Sequence, residues 1–241
     1  PFKGAYVRYI GEKPDDEQPL WRYFKVERLI DFLRSGELYF ASAREFQDKF
    51  EGAIAISPSS IKEIPDHFEA AFEELRRLMK ISCWHQANHE SDAMWQLYAD
   101  KWRGVAIQTS FNKLITSIKP FHLLPEYDEE ELLVGNVVYK DLINEKLTVS
   151  FSERFWFKHI AFKWENEFRL AISLRVAEEF GVSIPEFGIK VAFDIPSLIE
   201  RIHLGPSLSE ENIEQLIRCA NEVGLGDKVQ VSSLLGMPRY T

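Results

Sequence analysis

The segment Lys163-Trp164-Glu165-Asn166-Glu167-Phe168-Arg169-Leu170-Ala171-Ile172-Ser173 constrains the fold more than any other, because polar and apolar residues alternate along it. A period of two is that of a β-strand, and the pattern predicts one from Glu167 to Ser173. Extended backbone places Glu165, Glu167 and Arg169 on one face and Phe168, Leu170 and Ile172 on the other, with successive carboxylates roughly 7 Å apart. Two readings of the polar face stand side by side. In one, the sheet has a wet face on which Glu167 and Arg169 form a structural ion pair. In the other, the carboxylates line a cleft, where burial or mutual repulsion raises a pKa and suits base catalysis or charge stabilisation.

Around this strand the chain mixes helical and extended periods. Val26, Leu29, Ile30 and Leu33 define a helix face that ends near Gly36, and Phe68, Ala71, Phe72, Leu75, Leu78 and Met79 define a second. Ile213, Leu216, Ile217 and Ala220 define a third, before Gly224. Ser91 is placed to cap a further helix carrying Met94, Trp95, Tyr98 and Trp102. Further strands are predicted at 5–10, 38–41, 81–85, 104–107, 137–140, 189–193 and 200–204. Unequal helices interleaved with such strands read as an α+β fold. One domain over residues 1–241 is expected, with 1–20 an N-terminal strand and flexible arm and 21–241 the main body.

Charge and composition narrow the function classes. With 29 basic against 38 acidic residues the net charge is -9, which opposes strong nonspecific binding to nucleic acid. Two cysteines make no disulfide framework, and no apolar run reaches membrane-span length, so a cytoplasmic protein with no membrane partner is expected. The chain opens on Pro1 rather than Met, as a trimmed N-terminus would, so lack of a signal peptide says little here.

Three other clusters could carry chemistry. Cys83, His85 and His89 are zinc-ligand types, but a fourth ligand at metal-site spacing is missing, so no metal is expected. Met94, Trp95, Tyr98 and Trp102 are spaced as core packing or as the wall of a pocket for a planar ligand. Between a strand and the next helix, Asp48 and Glu51 read as turn and cap residues or as ligand contacts.

Several segments together resemble a bacterial family known only as domain of unknown function 2971. They are Arg22-Tyr23 before a helix ending at Ser35-Gly36; Leu38-Tyr39-Phe40-Ala41-Ser42 leading to Phe46-Gln47-Asp48-Lys49-Phe50-Glu51; Ser82-Cys83-Trp84; Met94-Trp95 with Tyr98-Ala99-Asp100; Gly104-Val105-Ala106-Ile107; Val138-Tyr139; and 163–169. Where the family shows Phe-Asn-Asp-Pro-Phe, this chain has Phe46-Gln47-Asp48-Lys49-Phe50, without the turn proline.

That layout is similar to the ADP-ribosyltransferase superfamily, a split, mostly antiparallel β core with flanking helices that binds NAD in a cleft. The resemblance implies NAD as substrate and an unknown acceptor. It implies Glu165 and Glu167 as catalytic, and Arg22, Tyr23, Ser82 and Trp84 as nucleotide contacts, to which the pocket-wall reading of the aromatic stripe adds Trp95 and Tyr98. In this reading Glu167 binds a ribose hydroxyl and stabilises the cation left when nicotinamide departs, while Glu165 orients or deprotonates the acceptor. Arg22 pairs with the pyrophosphate, and Tyr23 or Trp84 stacks on the nicotinamide ring. A noncatalytic ligand-binding or sensor module of the same fold is the alternative, and metal-assisted hydrolysis through Cys83, His85 and His89 a third.

Overall fold

Val26, Leu29, Ile30 and Leu33 are all buried on one face of the helix Val26–Ser35, as their spacing requires. The helix stops where Gly36 takes φ 70° and its N–H bonds the Phe32 carbonyl at 2.9 Å, a left-handed cap that glycine adopts without Cβ strain. The structure, a computed structural model, describes residues 5–48, 50–55 and 66–240. Residues 1–4 of the expected arm and Lys49 lie outside the described residues.

The chain groups into two compact units, each drawn from three separate stretches. The first comprises Pro1–Pro14, Tyr39–Cys83 and Pro120–Val191. Its strands run in the order Val7–Ile10, Leu132–Asn136, Glu167–Ser173, Met79–Gln86, the last contributing only its first five residues. Val7–Ile10 is parallel to Leu132–Asn136, which is antiparallel to Glu167–Ser173 in the register Leu132↔Ile172 to Asn136↔Phe168. Ala41 and Ser42 pair antiparallel with Ile81 and Lys80. Ala43, Met79, Ile81, Leu133, Phe155, Trp156 and Ala171 form a core against these strands. A short parallel pair, Val138–Lys140 with Phe157–His159, stands apart from the main strands.

In the second unit, Asp15–Leu38, Trp84–Lys119 and Ala192–Thr241, the strand Pro19–Phe24 pairs antiparallel along its whole length with Val105–Ser110. Val105–Ser110 takes Arg201–Leu204 on its other side, again antiparallel, and Val229–Val231 follows in parallel. The helix Glu210–Glu222 packs on Val26–Ser35, burying Cys219 beside the Ile30 carbonyl. Both units are thus mixed α and β, as the interleaved periods predict, and the strand pairs of the main sheet are mostly antiparallel, as the resemblance implies. Among the described residues no helix is long and apolar enough to cross a membrane.

Four differences from the sequence reading have physical causes. The strand Pro19–Phe24 and the strand Leu132–Asn136 have no clean alternation, because each is buried on both faces and so reads as a plain apolar or aromatic run. Regular structure therefore resumes at Pro19, inside the stretch assigned to the flexible arm. The helix expected to carry Trp102 ends at Tyr98. Asp100, Lys101 and Trp102 then take φ of 48°, 55° and 65°, a left-handed turn no helix can run through. The wet face that one of the two readings gave Glu167–Ser173 is absent, since every residue from Glu167 to Ile172 is buried.

Candidate active site

Glu167 and Arg169 share one face of a strand with neighbours on both edges, so their charged ends are carried inside the first unit. Glu165 is not on that strand. It closes the 3₁₀ turn Ile160–Glu165, and Asn166 reverses the backbone at φ 39° with its N–H bonded to the Lys163 carbonyl. The turn has three residues per revolution, which aligns Phe162 with Glu165. Phe162 lies against the Lys158 ammonium, 4.6 Å from ring centroid to Nζ.

Lys158, on Phe157–His159, gathers the two glutamates. Its Nζ donates to Glu167 Oε1 at 2.8 Å and also to Glu165 Oε2. Arg169 Nε donates to Glu167 Oε2 at 2.8 Å. The rest of the guanidinium grips Glu51 in two bonds of 2.5 and 3.0 Å and the Phe155 carbonyl at 2.6 Å. Glu51 is aimed inward by a tight turn in which the Phe50 N–H bonds Asp48 Oδ1 at 2.9 Å and the Glu51 N–H bonds the Asp48 carbonyl at 3.1 Å. Gly52 completes the turn at φ 78°, where a Cβ would lie 2.8 Å from the Phe155 ring. Asp48 is therefore the turn residue the sequence suggested, whereas Glu51 is the second carboxylate partner of Arg169.

Burial and neighbouring charge push the two glutamates apart. Burial first, and then the adjacent Glu167 carboxylate, raise Glu165 to about 7 against the pull of Lys158. Burial acts the same way on Glu167, but the Arg169 guanidinium, a hydrogen bond from Glu165 and the Lys158 ammonium hold it well below the usual carboxylate range. Tyr139, whose hydroxyl accepts the Glu167 N–H at 2.9 Å, and Cys83 are both pushed up by burial and by the Glu167 charge. One carboxyl poised near neutrality beside one firmly ionised is the arrangement that acid–base chemistry uses. Ser82, on the neighbouring strand, is fully buried in this unit.

The remaining residues implied by the resemblance lie in the second unit. Arg22 sits with its guanidinium carbon 5.5 Å from the Phe24 ring and 5.7 Å from the Trp84 ring. Tyr23 meets Trp95 edge to face at 5.1 Å, and its hydroxyl accepts the Ser91 N–H at 3.0 Å. Trp95 is fully buried, with its indole N–H on Glu90 Oε2 at 2.9 Å. Glu90 also accepts the Ser233 N–H at 2.8 Å, tying the C-terminal segment to this aromatic cluster. Tyr98, the last residue of its helix, is exposed, and Trp102 bonds Asp92 Oδ1 at 2.8 Å. The stripe Met94, Trp95, Tyr98 and Trp102 thus divides: Met94 and Trp95 are core, whereas Tyr98 is at the surface. Among the described residues, no group of three His, Cys, Asp or Glu side chains is arranged to hold a metal ion.

Residues 94–170 match the family described as "Protein of unknown function (DUF2971)". The DUF2971 match takes in Lys158, Glu165, Glu167 and Arg169 but ends short of Glu51, Arg22 and Ser82 on its N-terminal side. No curated protein matches the chain. Among solved structures, it is similar to Thermus sp. 2.9 DarT in complex with carba-NAD+, at 11% identity over 91% of this chain and 96% of that one, with a TM-score of 0.37. It is similar also to the same protein in complex with ADP-ribosylated ssDNA, at 8% identity over 92% and 97% of the two chains, with a TM-score of 0.36.

The signal for the Lys158 and Glu51 contacts was thin in the sequence. Lys158 lies nine residues from Glu167 and Glu51 lies 118 from Arg169, and neither pairing follows from local period.

Proposed function

We propose that this chain binds NAD or a related nucleotide and transfers or cleaves its ADP-ribose, using Glu167 and Glu165. The observation that carries the proposal is the carboxyl pair held on one ammonium, with Glu167 ionised and Glu165 poised near pH 7. The residue-level resemblance of Glu165-x-Glu167 supports the same assignment. Cleavage breaks the bond between the nicotinamide nitrogen and the ribose anomeric carbon; the bonding pair leaves with nicotinamide and positive charge stays on the ribose. Glu167, fixed by two cations on a rigid strand, supplies negative charge toward that cation without reorganising. The acceptor then bonds to the anomeric carbon and gives its proton to Glu165 in its ionised form, which a pKa of about 7 keeps populated near neutral pH. The proposal stands on the first unit's carboxyl pair alone.

A noncatalytic module is the second reading, favoured by the fact that each Glu167 oxygen already accepts from a buried cation. Calorimetric titration of NAD into wild-type protein and Glu165→Gln separates them. The transferase reading expects NAD to bind both proteins and turnover to vanish in the variant. Binding without turnover in wild type selects the module, and no heat of binding at millimolar NAD removes the nucleotide from both.

A further inference from the structure

Three carboxyl groups, Glu51, Glu165 and Glu167, are enclosed with two cations, Lys158 and Arg169, and no side chain among the five is more than 8% exposed. Fully ionised, the group would hold one uncompensated negative charge out of water, which is far costlier than keeping a proton. Geometry says which carboxyl keeps it. Arg169 is spent on Glu51 and Glu167, while Glu165 has only a share of an ammonium already bonded to Glu167.

We propose that Lys158 is a positioning residue that clamps Glu165 and Glu167 into a pair holding a single exchangeable proton. Its purpose rests on the transferase reading, in which the pair, having released that proton to solvent, takes up the acceptor's. The pair itself rests only on contacts. Both carboxyl groups accept from the one Lys158 ammonium, Arg169 Nε adds a second cation to Glu167, and the opposed shifts of Glu165 and Glu167 agree in leaving the proton on Glu165. The charged and titratable groups seen around the pair among the described residues agree. Lys158 and Arg169 stay cationic, Tyr139 and Cys83 are pushed toward their neutral forms, and Glu51 is held by Arg169. The Phe162 ring over Nζ keeps the ammonium from turning outward.

The test is a carbon-13 titration of the glutamate carboxyl groups from roughly pH 5 to pH 9, which requires neither NAD nor turnover. Wild type is expected to show one carboxyl with a midpoint near 7 that is missing from Glu165→Gln. Lys158→Met removes a cation and is expected to raise that midpoint by about 1 unit or more, and Lys158→Arg to bring it back toward the wild-type value. A folded Lys158→Met with the wild-type midpoint overturns the proposal. If Lys158→Met does not fold, the wild-type titration still decides, because the absence of any glutamate midpoint above about pH 5.5 overturns it. A protein that shows the midpoint but binds no NAD retains the proton pair and loses only the transferase reading.

Discussion

Glu51 crosses 118 residues of sequence to clasp Arg169 with both carboxylate oxygens, at 2.5 and 3.0 Å, in a site where each side chain is 1% exposed. A two-pronged carboxylate–guanidinium pair of this geometry fixes the orientation of both groups. It leaves Arg169 Nε to point along the strand at Glu167, so the Asp48-to-Gly52 turn sets the charge environment of a glutamate it does not touch.

Removing Glu51 should therefore be costly. Glu51→Ala leaves a buried guanidinium with half its compensation, and the expected loss is about 3–5 kcal/mol. Denaturant unfolding of the variant checks this, and a loss below about 1 kcal/mol would mean that Arg169 finds another partner or water.

Glu165 should make stability depend on pH in the direction opposite to an ordinary ion-paired acid. Its folded-state pKa, about 7, is above its unfolded value near 4.5, so between these pH values the folded protein binds more protons than the unfolded one. The stabilisation of wild type relative to Glu165→Gln should decline as pH rises from about 4.5 to about 7 and then level off. Glu167 works the other way, its depressed pKa adding stability that is lost as pH falls below the ordinary carboxylate range. Melting curves of both proteins across this window test the sign. A difference that grows with pH would place the proton elsewhere.

Trp95→Ala should destabilise the protein by about 3–5 kcal/mol, the usual result of deleting a core aromatic. Trp95 is fully buried, stacked edge-on with Tyr23 and bonded to Glu90. An unchanged unfolding midpoint would return Trp95 to the role of ligand-facing residue.

Lys101→Gly should be neutral or stabilising by up to about 1 kcal/mol, because glycine relieves the left-handed strain of φ 55° while giving back part of the gain as chain entropy. A clear loss, read from chemical denaturation, would show that the turn from Asp100 to Trp102 is not left-handed.

The strand from Glu167 to Ser173, the helix face built on Val26 and the helix that carries Ile213 were legible because one period dominates each segment, although Ile217 of the expected third face is exposed and Cys219 is buried in its stead. Pro19–Phe24 and Leu132–Asn136 were not, since burial on both faces erases alternation. At the site, the pairing of Glu167 with Arg169 follows from spacing alone. The placement of Glu165 beside them does not: it reaches the pair through a 3₁₀ turn and a left-handed Asn166 rather than along the strand. Lys158 and Glu51 were illegible for a different reason, because ion pairs formed by distant segments leave no local pattern.

The most direct test of the central claim is nicotinamide release from NAD by wild type and Glu167→Gln, each corrected for its folded fraction at the assay temperature. Both Glu167 oxygens accept from buried cations, so the variant will lose some stability in any case, and the correction keeps that loss from passing as chemistry. The account predicts release by wild type and a fall of about 100-fold or more per folded molecule in the variant, as expected when charge facing a cationic transition state is removed. Equal release per folded molecule, or none from wild type, would contradict it.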